Sequence, residues 1–207
     1  MRSLLAIVLL VMGCGGETTT PLPPLEVVNE VHTFFVVPVT GSFARLEAAQ
    51  DSILMERALS QAWMHEHFGR WINYASGFSL LRVADTSGDP HRSIELAVQS
   101  KLARGDVALV YYDGPTTSPN CGGAAVGGRV AILYVGNCRL PFLRRRPGAS
   151  IGSGFWIFAA VHDLGHSFGV EHHDERGYLM YGGTHGVPHL GALPETKLAF
   201  EASGYLE

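Results

Sequence analysis

The stretch HDLGHSFGVEH, residues 162–172, constrains this chain more than any other segment. On an α-helix His162 and His166 stand one turn apart, so both imidazoles leave the same face and reach toward a common point. Gly169 tolerates a left-handed backbone, which predicts a helix end there and a sharp turn that returns His172 toward the same point. Three neutral imidazoles without a cysteine make a ligand set for one zinc ion. The fourth tetrahedral position stays open to water, as in catalytic and not in closed structural sites. A fold for this sequence must therefore hold one helix, one turn and a returning loop in fixed relation.

The same string resembles the metzincin signature HExxHxxGxxH, and the resemblance continues to Met180 in GYLMYGG. In metzincins a methionine in a tight turn lies beneath the zinc-bound histidines; the spacing and the LMY turn resemble the matrix metalloproteinase (matrixin) group most. The resemblance in detail covers residues 162–181. It implies an α+β fold: a twisted mixed β-sheet with a long backing helix, and an active-site helix followed by a Met-turn. It implies one catalytic Zn2+ held by His162, His166 and His172, and an extended peptide substrate paired against an edge strand.

One position departs from the signature. Asp163 stands where metzincins carry glutamate, the general base that takes a proton from the zinc-bound water and passes it to the leaving amine. Aspartate offers the same carboxylate with a reach shorter by about 1–1.5 Å. A misplacement of that size costs on the order of 100-fold in rate, so restoring glutamate is expected to raise activity. Two function classes follow: a zinc endopeptidase with Asp163 as general base, or a zinc-binding, proteolytically silent surface domain that holds peptide in the same cleft.

The N-terminus, MRSLLAIVLLVMGC, carries one arginine and an apolar run from Leu4 to Met12. Such a run is short for a bilayer span and reads as a secretion signal. VMGC resembles a bacterial lipobox, which implies that residues 1–13 are removed and that Cys14 bears lipid. Gly15 after the cysteine points, by resemblance to enteric lipoproteins, to the outer membrane. Residues 14–28, rich in Gly, Thr and Pro, read as a tether, and 29–207 as one catalytic domain. An exported protein with three cysteines is most simply accounted for by lipid on Cys14 and a Cys121–Cys138 disulfide, worth about 3 kcal/mol on the chain-entropy model. A formal net charge of -4 with no basic face gives no footprint for nucleic acid. The one basic cluster, RLPFLRRRP at 139–147, reads as a solvated loop. The domain is expected to act as a monomer.

Strands are expected at 32–39, 78–85, 106–114 and 129–136, each rich in β-branched or aromatic residues. A long helix is expected from Leu46 to Tyr74, closed by Gly77. SIELAVQS at 93–100 fits a strand or a short helix. Ser153 caps the helix leading into His162 and His166, and a last helix runs from Pro194 to Ser203. The substrate-binding edge is sought within residues 120–130, and one pocket wall within 182–191. Among the other histidines, His65 and His67 point to different helix faces and make no joint site; His173 with Asp174 is a candidate for orienting a ligand ring; His185 and His189 belong to the pocket wall.

Overall fold

In a computed structural model of the protein, residues 29–84, 88–137, 155–182 and 191–207 are described. The elements run β1 (Val31–Pro38), α1 (Leu46–Phe68), β2 (Ser79–Val83), α2 (His91–Gln99), β3 (Val107–Tyr112), β4 (Gly122–Ala124), β5 (Val130–Tyr134), α3 (Phe155–Ser167) and α4 (Pro194–Ala202). They build an α+β fold on one mixed five-stranded sheet in the order β2-β1-β3-β5-β4. β2, β1, β3 and β5 are parallel neighbours, and β4 alone runs antiparallel, on β5. Cys14, Cys138, the basic run 139–147, Ser153, His185 and His189 lie outside the described residues. No described helix is long and apolar enough to cross a membrane.

The sheet is covered on both faces, which is why its inner strands are continuous apolar runs and not alternating ones. Odd-numbered residues of β1 and β3, among them Val31, Phe35, Val37, Leu109 and Tyr111, join the core shared with α1 and α3. Even-numbered ones, Phe34, Val36, Ala108, Val110 and Tyr112, pack with Ile94 and Val98 of α2. Ile94 and Val98 are four residues apart, one helical turn, and both are buried. That burial decides the segment 93–100 in favour of helix.

The first helix is shorter than the sequence pattern predicts. It stops at Phe68 because Gly69 takes φ 69°, with its N–H on the His65 carbonyl. The chain then doubles back along α1: the Gln61 amide donates to the Ile72 carbonyl and accepts from the Ile72 N–H, both at 2.7 Å. A side chain thereby takes the part of a neighbouring strand. Gly77, expected to close the helix, instead turns the chain toward β2 with φ 72°.

One carboxyl is sealed into this core. Glu56 of α1 is 1% exposed, and among the described residues neither of its oxygens has a partner in hydrogen-bond geometry. Burial pushes its pKa up to about 8, against a smaller opposing effect of the Tyr111 hydroxyl. Arg57 does not neutralise it, since that guanidinium lies over the Tyr74 ring and donates to the Gly77 and Ala75 carbonyls.

Candidate metal centre and active-site cleft

α3 is anchored by Ala160, Val161 and Leu164, all fully buried, and these fix the face on which His162 and His166 stand. After Ser167 the Gly169 N–H bonds the His166 carbonyl at 2.9 Å and the Val170 N–H bonds the Gly165 carbonyl at 2.9 Å. Gly169 takes φ 92°, a conformation costly for any residue with a Cβ. The chain that leaves this turn carries His172. Its neighbour His173 pairs with the returning Met180–Gly182 segment: the His173 N–H bonds the Met180 carbonyl at 3.0 Å, and the Gly182 N–H bonds the His173 carbonyl at 3.4 Å.

The three imidazoles meet. His172 Nε2 lies 3.0 Å from His162 Nε2 and 3.0 Å from His166 Nε2. Ligands of one tetrahedral zinc at a Zn–N distance of about 2.0–2.1 Å stand about 3.3 Å apart, so the spacing suits a single ion. The ring orientation is held from behind. His162 Nδ1–H donates to the Leu179 carbonyl and His166 Nδ1–H to the Val170 carbonyl, each at 2.7 Å. With Nδ1 donating, the neutral rings turn Nε2 lone pairs toward one point. Burial first, then the charges of His166, His172 and His173, lower the His162 pKa to about 4 against the opposing Leu179 bond, so this ring is neutral at the converging point near neutral pH. Burial likewise lowers the pKa of His166. A cation is the group that fits three converging nitrogen lone pairs.

His173 does not take the orienting part expected of it. Its Nδ1 accepts the Glu175 N–H at 3.2 Å, and its Nε2 is buried without a hydrogen-bond partner among the described residues. Backbone carbonyls orient the rings instead, because the turn after α3 and the Met180 loop bring them directly behind the imidazoles. His65 stacks on Trp71 and His67 packs at a tilt against Trp63, with centroids 4.4 and 4.5 Å apart, so both belong to aromatic packing.

Met180 is fully buried. A Cβ built on Gly165, inside α3, would come within 2.7 Å of Met180 Sδ and 3.0 Å of Phe200. Gly165 is therefore what lets the methionine lie directly under the histidine-bearing helix. A sequence signal for this exists, because glycine inside a helix costs about 1 kcal/mol relative to alanine and calls for a compensating close contact.

Asp163 follows His162 on α3 and is 7% exposed. Burial pushes its pKa up to about 8. Its Oδ2 lies 2.5 Å from the point where a Cβ on Gly122 would sit, a point also 2.4 Å from the Ile132 carbonyl oxygen. The carboxyl thus rests against bare backbone of β4, and α3 and the sheet edge approach closely around the short side chain. This packing reverses the expectation that glutamate improves the site, for the extra methylene has no room toward β4.

A cleft of about 460 Å³ joins these parts, lined among others by Gly122, Gly123 and Ala124 of β4 and by His162, Asp163, His166, His172 and Tyr181. β4 pairs with β5 on one side and stands at the sheet's edge, so its outward backbone groups border the cleft. The glycine-rich segment is thereby an edge strand, which its composition alone leaves equal in weight with an irregular loop.

No protein-family model and no curated protein matches this sequence. Among solved structures, the chain is similar in fold to archaemetzincin from Methanopyrus kandleri, with a TM-score of 0.50, 14% identity, and coverage of 83% of this chain and 94% of that one. A zinc-dependent peptidase from Methanocorpusculum labreanum matches with a TM-score of 0.46 and 14% identity over 82% of this chain and 98% of that one. Metalloproteinase-II from Bacteroides fragilis matches with a TM-score of 0.48 and 15% identity over 87% of this chain and 55% of that one. The first of these likenesses supports the architecture, an α+β sheet of the archaemetzincin kind.

Proposed function

We propose that the protein is a zinc-dependent endopeptidase of the metzincin kind, with His162, His166 and His172 as ligands and Asp163 as general base. The observation that carries this reading is the convergence of three Nε2 atoms, two of them on rings oriented by backbone carbonyls, beside a buried carboxyl and an open sheet edge. The likeness in fold to archaemetzincin agrees with it. A zinc ion held by His162, His166 and His172 would supply Lewis-acid chemistry for a scissile carbonyl and for the attacking water. Asp163 would accept a proton from the attacking water on its carboxylate and deliver it to the leaving amine. β4 offers N–H and C=O groups to an extended peptide, and the side-chain-free Gly122 and Gly123 allow that backbone to come near.

A silent peptide-binding domain is the second reading, favoured by the short reach of Asp163 and by the burial that holds its proton. Cleavage of a peptide library by zinc-loaded protein, abolished by a chelator and restored by zinc, is the expected result; no cleavage at full zinc occupancy would leave the binding domain. Elemental analysis checks the ligands separately. His162→Ala, His166→Ala or His172→Ala each removes most of the ion bound at this centre, whereas His65→Ala retains it. Full occupancy after loss of His172 would overturn the assignment.

We place the active protein in a bacterial cell envelope, anchored to the outer membrane through lipid on Cys14 and acting as a monomer on extracytoplasmic proteins or peptides. The lipobox-like VMGC supports the anchor. A Cys121–Cys138 bond would brace the cleft rim, where Cys121 lies half-buried. Mass spectrometry of membrane-extracted protein is expected to find an acylated Cys14 and no free thiol. An unmodified Cys14 or a reduced Cys138 would contradict the scheme.

A further inference from the structure

We propose that Glu30, His32 and Asp106 form a second divalent-cation site, a clamp between the starts of β1 and β3 that is separate from the three-histidine centre. Glu30 and His32 are two residues apart along an extended chain and so share a face. Val31 is level with Val107 and His32 with Ala108, so continuing the parallel register one step back sets Asp106 beside Glu30. The three donor atoms all lie within 4.8 Å of one another. His32 Nε2 is 2.9 Å from Asp106 Oδ2 and 3.7 Å from Glu30 Oε2.

The two separations from His32 suit donors that share one ion. With metal–ligand bonds of about 2.1 Å, donors 2.9 and 3.7 Å apart subtend about 87° and 124° at the metal, within the range of distorted tetrahedral to octahedral coordination. The Asp106 carboxylate is oriented before any ion arrives. Its Oδ1 accepts the Glu30 N–H at 3.1 Å, which aims Oδ2 at His32, and its carbonyl is held by Arg129 Nε at 2.9 Å. Charge points the same way. Among the described residues no lysine or arginine lies within salt-bridge distance of either carboxylate; Arg129 is bound to the Asp106 backbone carbonyl, and His32 is the basic side chain that touches the carboxylates themselves. Two carboxylates beside one imidazole are a donor set whose charge a dication compensates.

One imidazole and two carboxylates form a nitrogen and oxygen set suited to Zn2+ or Mn2+, with no thiolate to favour a softer ion. Asp106 is mostly buried and Glu30 half exposed, so water completes the coordination sphere. His32 shares the even-numbered register that packs against α2, on the sheet face opposite α1 and α3. Such an ion joins two strands and takes no part in the cleft, so its role is to stabilise.

The test is zinc stoichiometry of the full chain equilibrated with excess Zn2+ and freed of unbound metal. The wild type is expected to hold two ions, His32→Ala one, and the His162→Ala/His166→Ala variant also one, with the second ion raising Tm in that last variant. Glu30→Gln keeps the His32–Asp106 contact and should weaken the second ion at least tenfold with an unchanged circular dichroism spectrum, a check that holds if His32→Ala folds poorly. A wild type that holds a single ion, removed by the His162→Ala/His166→Ala change, would overturn the proposal. So would a second ion that survives both His32→Ala and Glu30→Gln. Loss of the three-histidine ion is read independently, so failure of either site leaves the other measurable.

Discussion

Replacing Asp163 with alanine is expected to leave zinc bound and to lower peptide hydrolysis by about 100-fold or more, the contribution of a positioned general base. The side chain sits on α3 between the ligands, but its carboxyl points to β4 and is no part of the three-nitrogen set. Zinc content and circular dichroism should therefore be unchanged, while kcat falls and KM moves little. Asp163→Glu is the more discriminating change. The carboxyl already touches the Gly122 backbone, so one further methylene must displace β4 or fold toward the histidines. Overpacking of this kind costs about 1–3 kcal/mol, and activity should fall. A rise would show that the gap between Asp163 and the water had limited the natural protein. Peptide hydrolysis absent from the wild type and both variants, each with full zinc, would reject the protease reading.

Stability is expected to drain away as pH rises through the neutral range, and Glu56→Gln should remove the Glu56 share of that loss, leaving the share of Asp163, whose buried carboxyl is also pushed up to about 8. Glu56 has a folded pKa of about 8 against an ordinary 4.5 because burial disfavours its charge. Folding therefore retains a proton that the unfolded chain has released. The contribution is fully present below pH 4.5, declines across the interval and is lost once pH passes about 8. At about 1.4 kcal/mol per pH unit the ceiling is on the order of 5 kcal/mol. The groups around Glu56 that titrate are Tyr74 and Tyr111, both pushed up by burial first and by the Glu56 charge second; they stay neutral over this range and cannot supply the effect. Urea denaturation at pH 5 should find wild type and Glu56→Gln similar, and at pH 9 the variant more stable by several kcal/mol. Parallel curves at the two pH values would show that Glu56 ionises without cost, by opening a path to water.

What can be read from the chain follows from short-range rules. His162 and His166 share a face because a helix repeats every 3.6 residues, and Gly169 turns the backbone because it lacks a Cβ. Strands β1, β3 and β5 are visible as β-branched, apolar runs, and Pro194 at the first turn of α4 marks its start. The sequence pattern misplaces the end of α1 because Gly69 and Gly77 are equally good stop signals; only the docking of Ile72 on Gln61 chooses between them. The helix 91–99 is ambiguous for a related reason: nine residues are too few for periodicity to decide, and the sheet it covers supplies the answer.

Ligand types, their helical phase and the turn that recruits His172 are written in eleven consecutive residues, since each depends on local geometry. What stands behind and beside those ligands came only with folding. The carbonyls of Leu179 and Val170 orient the rings, Gly165 admits Met180, and Gly122, 41 residues before Asp163, shapes the space for its carboxyl. Likewise His32 meets Asp106 only through the β1–β3 pairing, across a sequence separation of 74 residues. Backbone carbonyls carry no side-chain identity, and contacts between distant strands leave no period in the chain; both come into being only when the sheet closes against α3.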